Sequence, residues 1–319
     1  MQANQGIMEN SPVRWLTVED DRAGQRVDNY LRNLLKGVPK TRIYQMIRKG
    51  EVRVNKGRIK PDYKLSAGDI VRVPPVKQAT KAPMIDYRFI PILEHIVFEN
   101  TDMLVLNKPP GLAVHGGSGL QGGVIESLRA HKPDAHYLEL AHRLDRDTSG
   151  LLVIAKKRAF LRRFQAELRS KHHLEKHYDL LVHGDWPDHI SRVEAPIEKF
   201  TFASGDRVSK VTDSGKPCQT IFSVKQRFGQ VTWLTARLVT GRMHQIRVHA
   251  AWVGCPILGD AKYGSTAQDQ HLSPMRMMLH ASKLKYQGAG QVSEGQLKSF
   301  SLAAPIEPAM KAFITTLQR

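Results

Sequence analysis

The segment His142-Arg-Leu-Asp-Arg-Asp-Thr-Ser-Gly150 places one His, two Arg and two Asp within six positions, directly before an apolar run at residues 151–155. Residues entering a buried strand are ordinarily chosen for turns, and Asp147-Thr-Ser-Gly150 fits that role. The stretch from His142 to Arg146 carries more charge than a turn needs. A carboxylate beside guanidinium groups is favoured in its charged form, which suits a nucleophile or an electrostatic stabiliser better than a general acid. The plain alternative is a solvated charged loop. A second segment, Thr240-Gly-Arg-Met-His-Gln-Ile-Arg-Val-His249, offers Arg247 as an ion-pair partner for a carboxylate elsewhere. If residues 241–253 are a helix, His244 and Arg247 share one face of it. A third, Lys176-His-Tyr178, puts a tyrosine on a strand, where it is either core or a stacking surface for a base.

Several chemistries are disfavoured by the same inspection. His244 and His249 are five residues apart, the wrong spacing for two ligands on one helical face, and HExxH is absent. Cys218 and Cys255 form no CxxC pair and read as structural thiols. Gly117-Ser-Gly-Leu-Gln-Gly122 matches GxGxxG literally, but Pro109-Pro110-Gly111 interrupts the run before it and no Lys-Ser/Thr follows, so a flexible loop is the better reading. No metal, nucleotide or other cofactor is expected.

The elements that must position these residues follow from composition and periodicity. At 319 residues the chain suggests about two domains by length. Its net charge of +18 would attract polyanions, and nucleic acid is the expected partner. No apolar run approaches a bilayer span and the N-terminus has no signal-peptide core, so a soluble, cytoplasmic protein is expected. The charge is concentrated: residues 21–77 hold 15 Lys or Arg against 5 Asp or Glu. There, Val27, Tyr30, Leu31, Leu34 and Leu35 form one helical stripe, and residues 42–48 form a second helix with Ile43, Met46 and Ile47 inward. Strands are expected at 51–54 and 70–73, the first running into an Asn-Lys-Gly turn. The polar face of this unit carries Arg42, Arg48, Lys49, Arg53 and Lys56. Residues 74–91 read as a semi-extended tether. Beyond it, strands are expected at 96–98, 103–106, 151–155, 176–182 and 231–239, with helices at 158–170, 241–253 and 306–317. This order favours α+β over a doubly wound sheet.

Two resemblances rest on these residues. The stretch from Gln25 to Val73, centred on "PKTRIYQMIRKGEVRVNKGRIK", resembles an S4 RNA-binding domain. "HRLDRDTSGLLVIAK" resembles the signature of the RluA-type pseudouridine synthases, with "VLNKPPGLAVHGG", "TGRMHQIRVHAAWVGCPILGDAKYG" and "LHASKLKY" resembling further motifs of that family. Met243 stands where the family usually has Thr. The resemblance runs from about residue 96 to the C-terminus. It implies an α+β protein of three parts: a small S4-like unit at 15–76, a linker at 77–91 and a catalytic domain at 92–319. The catalytic domain would be built on a mixed, largely antiparallel sheet with flanking helices.

The same resemblance implies the site. Asp145 would be the catalytic carboxylate, Arg247 its ion-pair partner and Tyr178 a ring stacked on the uracil that could also accept the C5 proton. Arg143 would fill the space left by a flipped-out nucleotide or bind its phosphate, because a base that must rotate has to leave the stack. Lys108 and His115 would line the site. The substrate implied is 23S ribosomal RNA or a large-subunit precursor, with tRNA as the alternative. A noncatalytic rRNA-binding assembly factor is the competing class. No membrane and no obligate protein partner are expected, and a monomer is the expected state.

Overall fold

The structure, a computed structural model, describes residues 8–10, 12–35, 37–79, 90–116, 122–170, 173–202, 206–264, 266–288 and 297–318. The chain divides into two compact units, Met1–Ile85 and Asp86–Arg319.

In the first unit the stripe expected at 27–35 is helix α1 (Val27–Leu34), and α2 (Lys40–Arg48) follows it. Strand β2 (Arg14–Thr17) pairs with β4 (Ile70–Val73), which also pairs with β3 (Arg53–Val54). Val27, Leu31, Ile43, Met46, Ile47, Val52, Val54 and Val71 bury together as this unit's core. Asn55 and Lys56 hold the chain reversal after β3 at positive φ, as the Asn-Lys-Gly turn requires. Strand β1 (Met8–Asn10) pairs with β5 (Lys77–Ala79), so the beginning of the stretch read as a tether is extended and hydrogen-bonded. Residues 80–89 of that stretch lie outside the described residues. Arg48, Lys49, Arg53 and Lys56 are exposed. Arg42 is half-buried and pairs with Glu51 at 2.9 Å, so its guanidinium is partly engaged within the unit.

The second unit is α+β. Its elements run β6 (Ile96–Glu99), β7 (Met103–Lys108), α3 (Val124–His131), β8 (Glu139–Leu140), β9 (Ser149–Ala155), α4 (Arg158–Ser170) and β10 (Leu174–His183). There follow β11 (Arg192–Val193), β12 (Ile197–Thr201), β13 (Arg207–Val211), β14 (Thr220–Arg227), β15 (Val231–Leu238), α5 (Gln245–Trp252) and α6 (Thr266–Leu272). The unit closes with β16 (Leu279–Tyr286), β17 (Phe300–Ala303) and α7 (Pro308–Leu317). One ten-stranded sheet runs β11-β14-β15-β10-β16-β9-β7-β6, with β17 added to β16 and β8 to β9. All its pairings are antiparallel except β16 with β9, which makes the sheet mixed. Strands β7 and β9 alternate between two cores, as period-two side chains must when both faces are covered. Leu104, Leu106, Leu152 and Ile154 join residues of α3, α5 and α7. Met103, Val105, Leu151 and Val153 join Phe160 and Phe164 of α4.

Two helices start later than the sequence indicates, and the first of them carries the site. Helix α5 begins at Gln245, four residues later than the expected start at 241. The reason is local: Gln245 Oε1 accepts hydrogen bonds from Thr240 Oγ1 (2.8 Å) and the Arg242 N–H (3.0 Å), which fixes residues 240–244 as a turn. His244 closes that turn in the left-handed region, at φ 57° and ψ 23°. At the other end of the chain α7 starts at Pro308, because Glu307 caps it through the N–H groups of Ala309 and Met310.

Candidate active site

The loop carrying Asp145 sits between β8 and β9, and its local bonds explain its shape. The Thr148 N–H donates to the Asp145 carbonyl at 3.2 Å, closing a turn at the strand entrance. Gly150 follows at φ +105°, and a Cβ there would meet the Ala281 carbonyl oxygen at 2.3 Å. Only glycine allows β9 to approach β16 this closely. The register then continues across the sheet from Gly150 to Ala281 and on to Tyr178 of β10. Tyr178 is thus placed by the strand row that anchors the Asp145 loop. Asp147 pairs with its neighbour Arg146 at 3.1 Å.

His142 and Lys108 fasten the loop from behind. The His142 ring lies on Phe164 at 6.0 Å between centroids, and its Nε2 accepts the Val153 N–H at 3.1 Å. Burial pushes the imidazole down to about 4, with nearby Lys176 adding to the shift. In the unfolded chain it would protonate near 6.5. The folded value is depressed, so this group binds fewer protons folded than unfolded between those two pH values. Its contribution is fully present above pH 6.5 and falls as pH drops toward 4. At pH 5 the loss is about 2 kcal/mol. Urea unfolding at pH 7 and pH 5 should show this loss in the wild type and a smaller one in His142→Gln, whose side chain does not titrate.

Lys108, at the end of β7, is fully buried. Its ammonium donates to three backbone carbonyls: Pro109 (2.8 Å), Leu112 (2.9 Å) and Arg146 (2.8 Å). Burial pulls it down to about 7 against the favourable charges of Asp147 and Asp145. The expectation that Lys108 faces a ligand therefore gives way to an internal role, since all three donors are spent on the loop backbone. Lys108→Met would leave those carbonyls without a donor and should lower stability by roughly 2–4 kcal/mol in denaturant unfolding.

The charged centre joins residues from the loop before β9, from α5 and from the turn after α5. Arg247 Nη1 donates to Asp145 Oδ2 at 3.0 Å. Its other edge grips Asp260: Nε to Oδ2 and Nη2 to Oδ1, both 2.7 Å. The guanidinium also lies over the Tyr263 ring at 5.0 Å. The side chain of Asp145 is 31% exposed, whereas those of Arg247 and Asp260 are 10% and 0% exposed. The pair is therefore a buried cation presenting a carboxylate that remains open to a ligand. Burial works against the charge on Arg247, but Asp260 and then Asp145 outweigh it and hold the guanidinium charged. Burial works likewise against Asp260, and the hydrogen bonds and charge of Arg247, with the Lys262 and Tyr263 N–H groups, hold its carboxyl below the usual range. His244 Nε2 stands 3.7 Å from Asp145 Oδ1. Burial and, after it, the charge of Asp145 push the Tyr178 hydroxyl well up, so it stays protonated.

The structure thus brings Asp145, Arg247 and Tyr178 to one place. Arg143, two positions before Asp145 in sequence, is exposed. His115 is half-buried, its Nδ1 against the Gly116 carbonyl at 2.7 Å. The glycine-rich stretch at 117–121 lies outside the described residues. Asp260 and Tyr263, which hold Arg247, carried no role in the sequence reading. They lie in the "LGDAKYG" end of the motif that begins at Thr240, where Asp260 and Lys262 stand among apolar and glycine residues. Cys218 and Cys255 are both buried. Among the described residues no cluster of three or more His, Cys, Asp or Glu is placed to hold a metal ion, and no helix is long and apolar enough to cross a membrane.

Comparison with known proteins bears on this arrangement. The RNA pseudouridylate synthase family model matches residues 102–252, and the S4 domain model matches residues 25–71. A Pasteurella multocida protein named ribosomal large subunit pseudouridine synthase C is 48% identical, over 97% of this chain and 95% of its own length. A protein of the same name from Escherichia coli is 46% identical over 97% of this chain and 98% of its own. The Yersinia pestis one is 51% identical over 87% and 89%. Among solved structures, human RNA pseudouridylate synthase domain containing 4 matches with a TM-score of 0.57 at 22% identity, covering 73% of this chain and 97% of its own, a likeness of fold. With relatives this similar over nearly the whole chain, the protein belongs to the RNA pseudouridylate synthase family and is an RNA pseudouridine synthase with an S4 domain.

Proposed function

We propose that the substrate is the RNA of the large ribosomal subunit, 23S ribosomal RNA in a bacterium, and that Asp145 is the carboxylate at the reacting atoms. The names of the relatives support the first part. The observation that carries the second is the 3.0 Å pairing of the partly exposed Asp145 with an Arg247 that Asp260 clamps from behind. Conversion of uridine to pseudouridine breaks N1–C1′, forms C5–C1′, places a proton on N1 and releases the C5 proton to solvent. The product is an isomer, so electrons balance without an external oxidant or reductant. A carboxylate fixed in one orientation serves any of three routes: attack at C1′, attack at C6, or removal of a ribose proton. Preorganised charge of this kind lowers the barrier without reorganising during the step.

Tyr178 sits in the same site as a neutral phenol, which fits a ring packed on the uracil better than a base that takes the C5 proton. Arg143, exposed at the loop, would occupy the gap left by the flipped nucleotide, and His115 would line the approach. In the S4-like unit, proposed to span 15–76 ahead of a linker at 77–91 and a catalytic domain at 92–319, Arg48, Lys49, Arg53 and Lys56 form the exposed basic face for phosphates, with Arg42 beside them. We place the protein in the cytoplasm as a monomer.

The test of substrate class supplies C5-tritiated 23S transcript, precursor large-subunit particles and bulk tRNA in parallel, and counts released tritium. Release from the transcript or the particles with none from tRNA is expected. Release from tRNA alone would overturn the assignment.

A further inference from the structure

The notable feature of the site beyond the Asp145–Arg247 pair is His244. It is a non-glycine residue held in the left-handed region, directly before α5, with its imidazole between Tyr263 and Asp145. Strained backbone at a functional centre points to a side chain whose aim matters.

Hydrogen-bond stoichiometry gives the direction of that aim. The Tyr263 hydroxyl oxygen accepts the Ser209 N–H of β13 at 2.8 Å. The same oxygen is 2.6 Å from His244 Nδ1. A phenol has one proton to donate. The Ser209 side chain also meets this hydroxyl and acts as a further donor to its oxygen, so the 2.6 Å contact with Nδ1 is where the phenol proton goes. An Nδ1–H tautomer would place two protons in one short contact. Nδ1 is therefore the acceptor, and the ring proton of the neutral imidazole resides on Nε2. That nitrogen faces Asp145 Oδ1 at 3.7 Å, within ion-pair distance, while Arg247 holds Oδ2.

We infer that His244 is a second positioning residue for Asp145: Tyr263 locks it as the Nε2–H tautomer, and it orients Oδ1 while Arg247 orients Oδ2. Two donors on two oxygens fix the plane of the carboxylate, which Arg247 alone leaves free to turn about the Cβ–Cγ bond. The groups facing the ring are Asp145 from the loop before β9, Arg247 from α5, and Asp260, Lys262 and Tyr263 from the turn after it. Burial, with Arg247 and Lys262, outweighs the two carboxylates and lowers the imidazole below its ordinary value, in keeping with a neutral ring.

The inference rests on Asp145 being the reacting carboxylate, and its test separates the two. Single-turnover tritium release is measured across pH for His244→Gln, His244→Phe and Tyr263→Phe beside the wild type and Asp145→Asn. His244→Phe removes the donor and should lower kcat about 10- to 100-fold with KM held within about twofold. His244→Gln keeps an N–H near the Nε2 position and should stay within about fivefold of the wild type. Tyr263→Phe unlocks the tautomer, so Nε2 can turn its lone pair to Asp145. Its deficit should be several-fold near pH 8.5 and shrink as pH falls through the imidazole's own value, which lies below the ordinary one, since the imidazolium carries N–H on both nitrogens. A structural role alone does not yield that pH signature, and the signature stands even if His244→Phe fails to fold. A pH-flat Tyr263→Phe deficit, wild-type turnover by His244→Phe, or equal losses in His244→Gln and His244→Phe would each overturn the inference. If Asp145→Asn is inactive and one of these occurs, only the role of His244 falls. If Asp145→Asn is active, the reading of Asp145 falls first.

Discussion

Arg247→Met is expected to lower folding stability by about 3–5 kcal/mol, because it leaves Asp260 as a buried carboxylate without its counter-ion. Asp260 has no exposed side-chain surface, and among the described residues two backbone N–H groups, from Lys262 and Tyr263, would remain to it. The same substitution removes the donor to Asp145. Losing one hydrogen bond to a charged group is worth about 10- to 100-fold in rate, so kcat/KM should fall by at least that factor in whatever fraction stays folded. Arg247→Lys should fall between, since a single ammonium lacks the planar fork that binds Asp260 with one edge and reaches Asp145 from the other. The double variant Arg247→Met/Asp260→Leu separates the two effects. Removing both charges should restore most of the stability and none of the activity. Denaturant unfolding of the three variants measures the first, and turnover on tritiated RNA the second. A double variant no more stable than the single one would mean that Asp260 is not the group stranded.

Asp145→Asn is expected to reduce turnover by at least about 10,000-fold, the scale seen when an enzyme loses a group that its chemistry requires. The fold should not notice. Asn keeps an oxygen that can accept from Arg247 Nη1, and the residue is partly exposed rather than packed in a core. Affinity for RNA should stay within about threefold, because the basic face of the S4-like unit and the rest of the site are unchanged. A variant that binds and is inert places the loss in the chemical step. One that fails to bind would make Asp145 a recognition residue instead.

Much of this arrangement was legible in the chain because it is local. Helix α4 has the bounds 158–170 that its apolar spacing indicates, and the helices of the first unit carry the expected inward residues. The charge crowded between His142 and Asp147 marked the loop that holds Asp145. What was not legible depends on distant parts of the chain meeting. Nothing in residues 149–150 announces a parallel pairing with 280–281, so the need for Gly150 was invisible. Lys108 looked like a cation for RNA because a lysine in sequence carries no sign of burial. Only the arrival of three carbonyls, one of them from Arg146, turns it inward. The start of α5 is misplaced by a reading that runs the helix from Gly241, whereas the side chain of Gln245 folds back and holds residues 240–244 in a turn. Asp260 was passed over for a related reason. Its meaning lies in the guanidinium it grips from thirteen positions away.

The most direct test of the account is release of tritium from uracil C5 of large-subunit RNA, measured with the wild type and with Asp145→Asn at matched RNA occupancy. Release is expected from the wild type, one tritium for each pseudouridine formed, and none above the enzyme-free level from Asp145→Asn. Release by the variant at a rate near that of the wild type would contradict it, and the buried Arg247–Asp260 clamp would then need another purpose.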